Sequence, residues 1–451
     1  MKFFKQLFSF TILIIFTFCS NFIFAQTNQT IINGHPAWIM QGNIYEVNVR
    51  QYTPEGTFKA FEKSLPRLKN MGVQTLWFMP INPISKVERK GTLGSYYAIS
   101  NYTAINPEFG TMNDWKSLVK KCHEMGFKVI IDWVANHTGA DNYWLEKHPD
   151  FYVKDSSGKA ISQFDWTDTR KLNYNNSELV DSMINCMKFW IEKTDVDGFR
   201  CDYAVGPTKE FWSKCITQLK HEKSIFMLAE ADEPWLHEAG FDATYGWSEF
   251  TMMKLIAKGE RPAFAIDSVL ENIDATYPKN ALKMYFTSNH DENSWNKADY
   301  GTMPGASHAP FALLTFTIEK SIPEIYSGQE EPVLDSISFF YKDTIHFKNF
   351  ARASFYKTLL NLRKSNPALA SNASFTKLKT NNDANIYAFI RENKGRKILV
   401  ILNLSNAAQS FSITNKLIEN NWHNVFSGNM EQLKNNQKFR FAAWNYKVYS
   451  L

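Results

Sequence analysis

The sequence predicts an α/β fold: a (β/α)8 TIM barrel with a short inserted domain after its third strand and a C-terminal antiparallel β-sandwich domain. Three observations carry that reading. Eight short β-rich runs alternate with helical patterns between residues 44 and 363. The connection after the third run is far longer than the others. Beyond residue 365 the helical patterns give way to short strand-like runs with turn signals between them. A chain of 451 residues with 44% hydrophobic content can bury a large core without a metal or disulfide staple.

The elements follow in order. Residues 44–49 form the first run, and 58–70 carry apolar positions at helical spacing that stop before Gly72. The second run is 73–79. Residues 114–125 read as helix with Gly126 as the stop, and 128–134 is the third run. Helix 178–193 leads to the fourth run, 196–201, and helix 209–219 leads to the fifth, 225–229. A weaker sixth run at 241–245 precedes a helical region reaching about residue 275. The seventh run is 282–287, followed by helix 308–319, the eighth run 322–326 and helix 350–363. This alternation predicts parallel βα units closed into a barrel, with a doubly wound open sheet as the alternative that periodicity leaves open. Runs at 386–390, 397–403, 410–414, 421–425 and 442–449 predict the C-terminal domain. The expected division is a leader at 1–25, the barrel at 26–137 and 177–366, an inserted loop domain at 138–176 and the β domain at 367–451.

Lys2 and Lys5 precede an apolar run from Leu7 to Phe18, and Ala25-Gln26 follows. This is the pattern of a secretory signal peptide cleaved after Ala25, so the expected location is secreted or periplasmic. The run is short for a membrane span of ~20 residues. Lipid attachment at Cys19 is the less favoured alternative, because bulky Phe18 precedes it. No other stretch could span a membrane. The formal net charge is +5, two lysines of which leave with the leader, and this gives no reason to expect nucleic acid as a partner. Cys122, Cys186, Cys201 and Cys215 lack the paired spacing of a zinc site. Buried thiols are expected, with one bridge allowed.

Barrel active sites lie at the C-terminal ends of the strands. The third run ends in Asp132-Trp-Val-Ala-Asn136-His137, and the fourth in Asp197-Gly-Phe-Arg200-Cys-Asp202. The fifth ends at Glu230 and the seventh at Asn289-His290-Asp291. One strand-end acid is usually a cap or an ion pair. Four strands delivering acids, an Arg and two His to one rim are harder to explain that way. Side chains alternate along a strand, so Arg200 and Asp202 should point together and Cys201 oppositely. Arg200 can then hold Asp202 ionised. An ionised carboxylate beside a protonated one suits glycoside hydrolysis, and Glu230, behind an apolar run, is the candidate for the protonated acid.

These residues resemble the α-amylase family of glycoside hydrolases from about Ile44 to the C-terminus. Gly72-Val-Gln-Thr-Leu-Trp-Phe-Met-Pro-Ile81 is similar to the family's second-strand motif. The segments 132–137, 198–202, the one ending at Glu230, and 289–291 are similar to its four main regions. Ile322-Pro-Glu-Ile-Tyr-Ser-Gly328 is similar to its eighth-strand motif. The resemblance implies retaining double displacement on α-glucosidic bonds, mainly α-1,4, in starch, glycogen or maltodextrins. It implies Asp202 as nucleophile, Glu230 as general acid and then base, and Asp291 as a binder of ring hydroxyls that stabilises the transition state. Arg200 would orient Asp202, His137 and His290 would contact the sugar, Tyr97 would stack on it, and Asp132 would support the site. A transglycosylase or exo-acting α-glucosidase of the same family is the alternative. A non-catalytic glucan-binding protein is disfavoured because all three acids are present.

The sequence departs from the family pattern in places. Val205 and Gly206 stand where many members have a Lys-His pair that touches glucan and calcium. Asn136 matches a family calcium ligand, and Asp168 is a second candidate. No organic cofactor is expected. In Arg170-Lys-Leu-Asn173, Lys171 replaces a family acid. Aromatics make up 15% of the chain. Phe127, Phe199, Phe226 and Phe286 are expected in the core. One or two of Trp133, Tyr143, Trp144, Trp166, Tyr203, Trp235 and Trp295 are expected to contact sugar faces. His123, His148, His221 and His237 are expected in solvated positions.

Overall fold

The computed structural model describes residues 30–296, 303 and 305–451. The expected leader at 1–25 and Cys19 lie outside them. Eight parallel strands form a closed barrel: β1 Ile44–Val47, β2 Thr75–Phe78, β3 Lys128–Val134, β4 Gly198–Asp202, β5 Phe226–Ala229, β6 Ala243–Tyr245, β7 Leu282–Tyr285 and β8 Ser321–Tyr326. Each pairs with its neighbours in sequence, and β8 closes onto β1 with Glu324 opposite Ile44. Closure rules out the open doubly wound sheet. Nearly every barrel strand residue is buried, because side chains fill the barrel on one face and helices cover the other. That is why the strands read as continuous apolar runs.

Two helical regions are broken where the sequence reading has one. Residues 58–70 form Phe58–Glu62 and Leu65–Met71. Pro66 sits in the first turn of the second helix, the position where a missing N–H costs nothing, and it cannot continue the first. The region reaching residue 275 is Trp247–Ala257 and Ala265–Thr276, separated by a turn containing Gly259 and Pro262. The long excursion after β3 opens with an antiparallel ribbon, His137–Gly139 on Thr169–Lys171, and the chain returns along helix Ser177–Thr194.

The base of the barrel, away from the acids, is tied by Asp197. Its carboxylate accepts hydrogen bonds from Lys128 Nζ at 2.9 Å and Val129 N at 2.9 Å, and meets His123 Nε2 at 2.7 Å and Lys223 Nζ at 3.2 Å. His123 is thus ion-paired rather than solvated. His237 is also enclosed, beside Thr244, and burial lowers its pKa to about 3. The hydrogen bond from His123 and the nearby lysines hold Asp197 well below the usual carboxylate range despite its burial. A depressed carboxylate stabilises the fold above its ordinary pKa, and that stability is lost as pH falls through the range below about 4. Asp197→Ala is expected to cost roughly 3 kcal/mol at pH 7, measured by urea unfolding, and to flatten the acid limb of stability.

The C-terminal domain has a six-stranded antiparallel sheet. Its strands are β9 Ser374–Leu378, β10 Ile386–Asn393, β11 Arg396–Asn403, β13 Asn420–Asn424, β14 Met430–Leu433 and β16 Tyr446–Ser450, in the order β9-β10-β11-β16-β13-β14. A ribbon of β12 Gln409–Ile413 and β15 Gln437–Phe441 packs on it through Phe411 and Phe441. Alternate residues of β10 and β11 serve two cores. Ile386, Ala388, Leu399 and Ile401 face this ribbon, whereas Tyr387, Phe389, Val400 and Leu402 join the barrel's core. Strands β9, β14 and β15 escape the sequence reading because they interleave exposed polar residues with few apolar ones. Cys122, Cys186, Cys201 and Cys215 are buried free thiols, so the allowed bridge is not formed. No helix among the described residues is long and apolar enough to cross a membrane.

Candidate active site

Strand pairing sets the register of the rim. Asp132 lies opposite Arg200, Val134 opposite Asp202, and Arg200 opposite Leu228. Paired residues share a face, so Asp132, Arg200 and Asp202 all point into the barrel mouth. Arg200 is wholly buried and organises the acids. Its Nη1 donates to Asp132 Oδ1 at 2.9 Å and to Asp202 Oδ1 at 3.1 Å, while Nη2 lies 3.2 Å from Glu230 Oε2. Nε donates to the Tyr245 hydroxyl at 3.0 Å, and the guanidinium lies over the Trp77 ring at 5.0 Å. One cation therefore bridges both candidate catalytic acids through adjacent nitrogens.

Glu230 is fixed from the loop after β4. Its backbone N donates to Cys201 O at 2.9 Å, and its Oε2 accepts from Tyr203 N at 2.7 Å. Tyr203 has φ +41°, a left-handed conformation that costs a bulky residue strain and aims its N–H at Glu230. That N–H and Arg200 Nη2 both meet Glu230 Oε2. Burial, and then the charge of Glu230, pushes the Asp202 carboxyl well above the usual range.

The two histidines carry opposite states. His137 is buried, which lowers its pKa to about 4, so it is neutral at pH 7. Its Nδ1 faces Asn136 Nδ2 at 3.2 Å, which leaves the ring proton on Nε2. His290 is buried too, but Asp291 and Glu46 outweigh burial and raise it to about 9. Its Nδ1 lies 2.6 Å from Glu46 Oε1, and its Nε2 lies 2.7 Å from the Tyr97 hydroxyl and 3.3 Å from Asp291 Oδ2. Tyr97 also reaches Asp132 Oδ2 at 3.2 Å. Asp132 is fully enclosed, and burial raises it to about 6 against the pull of Arg200 and His290. Asn289 Oδ1 accepts from Asp291 N and Glu292 N, which fixes the turn that presents Asp291.

These groups open on one cleft of about 430 Å³. Tyr97, His137, Asp202, Glu230, His290 and Asp291 line it, while Arg200 and Asp132 form its buried floor. The volume falls within the range of small-molecule sites, about 300–1,000 Å³. Rings flank the acids on two sides. Trp295, Phe339 and Tyr97 form a ladder, with centroids 5.5 Å and 6.1 Å apart. Trp166 and Tyr203, 5.6 Å apart, meet exposed Phe164 on the other side. Trp133 and Trp144 are core instead, as are the four phenylalanines assigned there.

The calcium donors do not form a sufficient set. Asp168 lines the cleft, with one buried oxygen that has no hydrogen-bond partner among the described residues. Asn136 turns its Nδ2 to His137, and its Oδ1 packs directly on Gly206, where an added Cβ would fall 2.0 Å from it. Calcium takes about six to eight oxygens, and two side chains fall short of that. Overnight treatment with a chelator is expected to leave Tm and starch hydrolysis unchanged. A loss that calcium reverses would contradict this.

The family model for the α-amylase catalytic domain matches residues 21–419. The chain belongs to the α-amylase family. Alpha-amylase 2 of Dictyoglomus thermophilum is 26% identical, over 88% of this chain and 74% of that one. The crystal structure of the maltogenic α-amylase AmyB from Thermotoga neapolitana is similar with a TM-score of 0.83 and 29% identity, over 91% of this chain and 98% of that one. An α-amylase from Lactobacillus plantarum is similar with a TM-score of 0.82 and 28% identity, over 92% and 99%.

Within this α-amylase cleft, sequence reasoning missed Lys90, Ser95, Phe339 and Phe340. The phenylalanines sit in the irregular segment after β8, where no periodicity marks a residue as inward or outward. Glu46 and Tyr245 were also missed, although a charge inside the apolar β1 run, Ile-Tyr-Glu-Val, was a visible signal.

Proposed function

We propose that this α-amylase family enzyme is a retaining glycoside hydrolase that cleaves α-glucosidic bonds, mainly α-1,4, in starch, glycogen or maltodextrins. The supporting observation is the Arg200 bridge, which sets Asp202 and Glu230 side by side over one cleft with Asp291 at its rim. Retaining enzymes use carboxyls about 5–5.5 Å apart, and adjacent nitrogens of one guanidinium suit that spacing. In the first step Asp202 attacks the anomeric carbon, the glycosidic C–O bond breaks, and the leaving oxygen takes the proton of Glu230. In the second step Glu230 removes a proton from water, which attacks the same carbon and frees Asp202. Neutral His137 donates from Nε2 to a sugar hydroxyl. His290 faces the sugar and holds Tyr97 and Asp291 through Nε2, while Asp291 accepts from sugar hydroxyls. The flanking rings offer faces to the sugar's C–H groups.

Export through the N-terminal leader would bring the enzyme to a polymer too large to enter a cell. Sequencing the N-terminus of the protein recovered from culture medium or periplasm tests this, with Gln26 expected first. The reaction itself is tested by following products from starch, pullulan and maltotriose over time. Maltodextrins with initially α-configured ends support hydrolysis with retention. β-configured ends would overturn it, and products longer than the substrate would make transglycosylation the main reaction.

A further inference from the structure

Below the acids, the barrel interior holds two carboxyl groups that the reaction does not use. Glu46 on β1 is 0% exposed and Glu324 on β8 is 2% exposed. The strands are neighbours, with Glu324 opposite Ile44 and Tyr326 opposite Glu46, so both acids sit on the same face. Arg200, the nearby guanidinium, is taken up by Asp132, Asp202 and Glu230. Glu46 directs both oxygens at His290. Oε1 lies 2.6 Å from the ring Nδ1, and Oε2 accepts from the His290 backbone N at 3.2 Å. Neither oxygen of Glu324 has a hydrogen-bond partner among the described residues.

The other edge of the His290 ring meets Tyr97 at 2.7 Å and the Asp291 carboxylate at 3.3 Å. A carboxylate therefore stands at each ring nitrogen. A neutral imidazole has one N–H and would turn a lone pair toward one of them. Only the doubly protonated ring satisfies both. Glu324 has no such cation, and two buried carboxylates side by side cannot both stay charged at low cost.

We propose that Glu46 is a positioning residue that holds His290 as an imidazolium facing the substrate, and that Glu324 beside it is a neutral, protonated acid. The groups facing His290 are Glu46 from β1, Tyr97 from the segment after β2, Asp132 from β3, Arg200 from β4 and Asp291 from its own turn, with Glu324 and Tyr326 of β8 next to Glu46. Asp291 and Glu46 raise His290 to about 9 against its burial and the opposing charge of Arg200. Burial, then the charge of Glu46, raises Glu324 well above the usual carboxylate range. A raised histidine stabilises the fold below its ordinary pKa, and this is lost as pH rises from about 6.5 through about 9.

This inference builds on the glycosidase reading, but its test needs no substrate. The full chain, labelled with ¹³C at the histidine ring, is titrated by NMR, and the His290 signal is assigned by its loss in His290→Gln. The wild-type midpoint is expected near 9. Glu46→Gln should lower it by about one unit or more, together with the alkaline limb of kcat/KM on maltotriose. Glu324→Gln should leave the His290 midpoint in place. A wild-type midpoint at or below about 7, close to the ordinary histidine value, overturns the proposal without any variant. An unmoved midpoint in Glu46→Gln overturns the role of Glu46, and a lowered one in Glu324→Gln shows that Glu324 was charged. Failure of the glycosidase reading would show instead as undiminished starch hydrolysis in Asp202→Asn.

Discussion

Asp202→Asn is expected to lower kcat on soluble starch by about 10⁴-fold or more, the scale of losing a covalent nucleophile. Asparagine keeps the shape and can still contact Arg200, but its amide cannot form the glycosyl ester. The fold should not suffer. Asp202 sits in a setting that disfavours its charge, first through burial and then through Glu230. A raised carboxyl lowers stability as pH rises through the range between its ordinary and folded values. Removing that charge should leave Tm unchanged or raise it, the usual trade between a functional site and stability. Calorimetry alongside a reducing-sugar assay checks both halves. Wild-type turnover in a folded Asp202→Asn would remove the residue from the reaction.

Glu230→Gln is expected to lower kcat on starch by about 10²–10⁴-fold, the range for general acid–base catalysis. Its signature is dependence on the leaving group. A sugar alcohol leaves only with a proton, whereas fluoride needs little help. The loss in the glycosylation step should therefore be much smaller on maltosyl fluoride than on starch, and a burst of fluoride should precede slow turnover. Glutamine can still accept from Tyr203 N, so the loop after β4 should hold its place. An equal loss in the first step on both substrates would mean that Glu230 positions the site and transfers no proton.

The barrel was legible because its strands are buried on both faces and separated by amphipathic helices, so each appears as an apolar run followed by a helical pattern. The rim acids were legible because a closed parallel barrel carries its chemistry at strand ends. What escaped has physical reasons. Strands β9, β14 and β15 present polar faces to solvent, so their apolar residues are too sparse to announce a strand. Phe339 and Phe340 lie in an irregular segment whose side-chain directions only the fold decides. The cross-strand contacts of the acids also escaped. Neighbours along the chain suggested an apolar setting for Glu230, but the electrostatics are set across strands, by Arg200 from β4 and the N–H of Tyr203. Glu46 shows the same lesson, since its partner His290 is 244 residues away in the chain.

The central claim is that Asp202 carries the sugar during the reaction. The most direct measurement is peptide mapping by mass spectrometry after reaction with a fluorinated maltosyl fluoride, which glycosylates a nucleophile faster than water releases it. A single added glycosyl mass is expected on the peptide containing Asp202, absent in Asp202→Asn. The same mass on a different acid, or fluoride release with no adduct and a β-configured product, would contradict it.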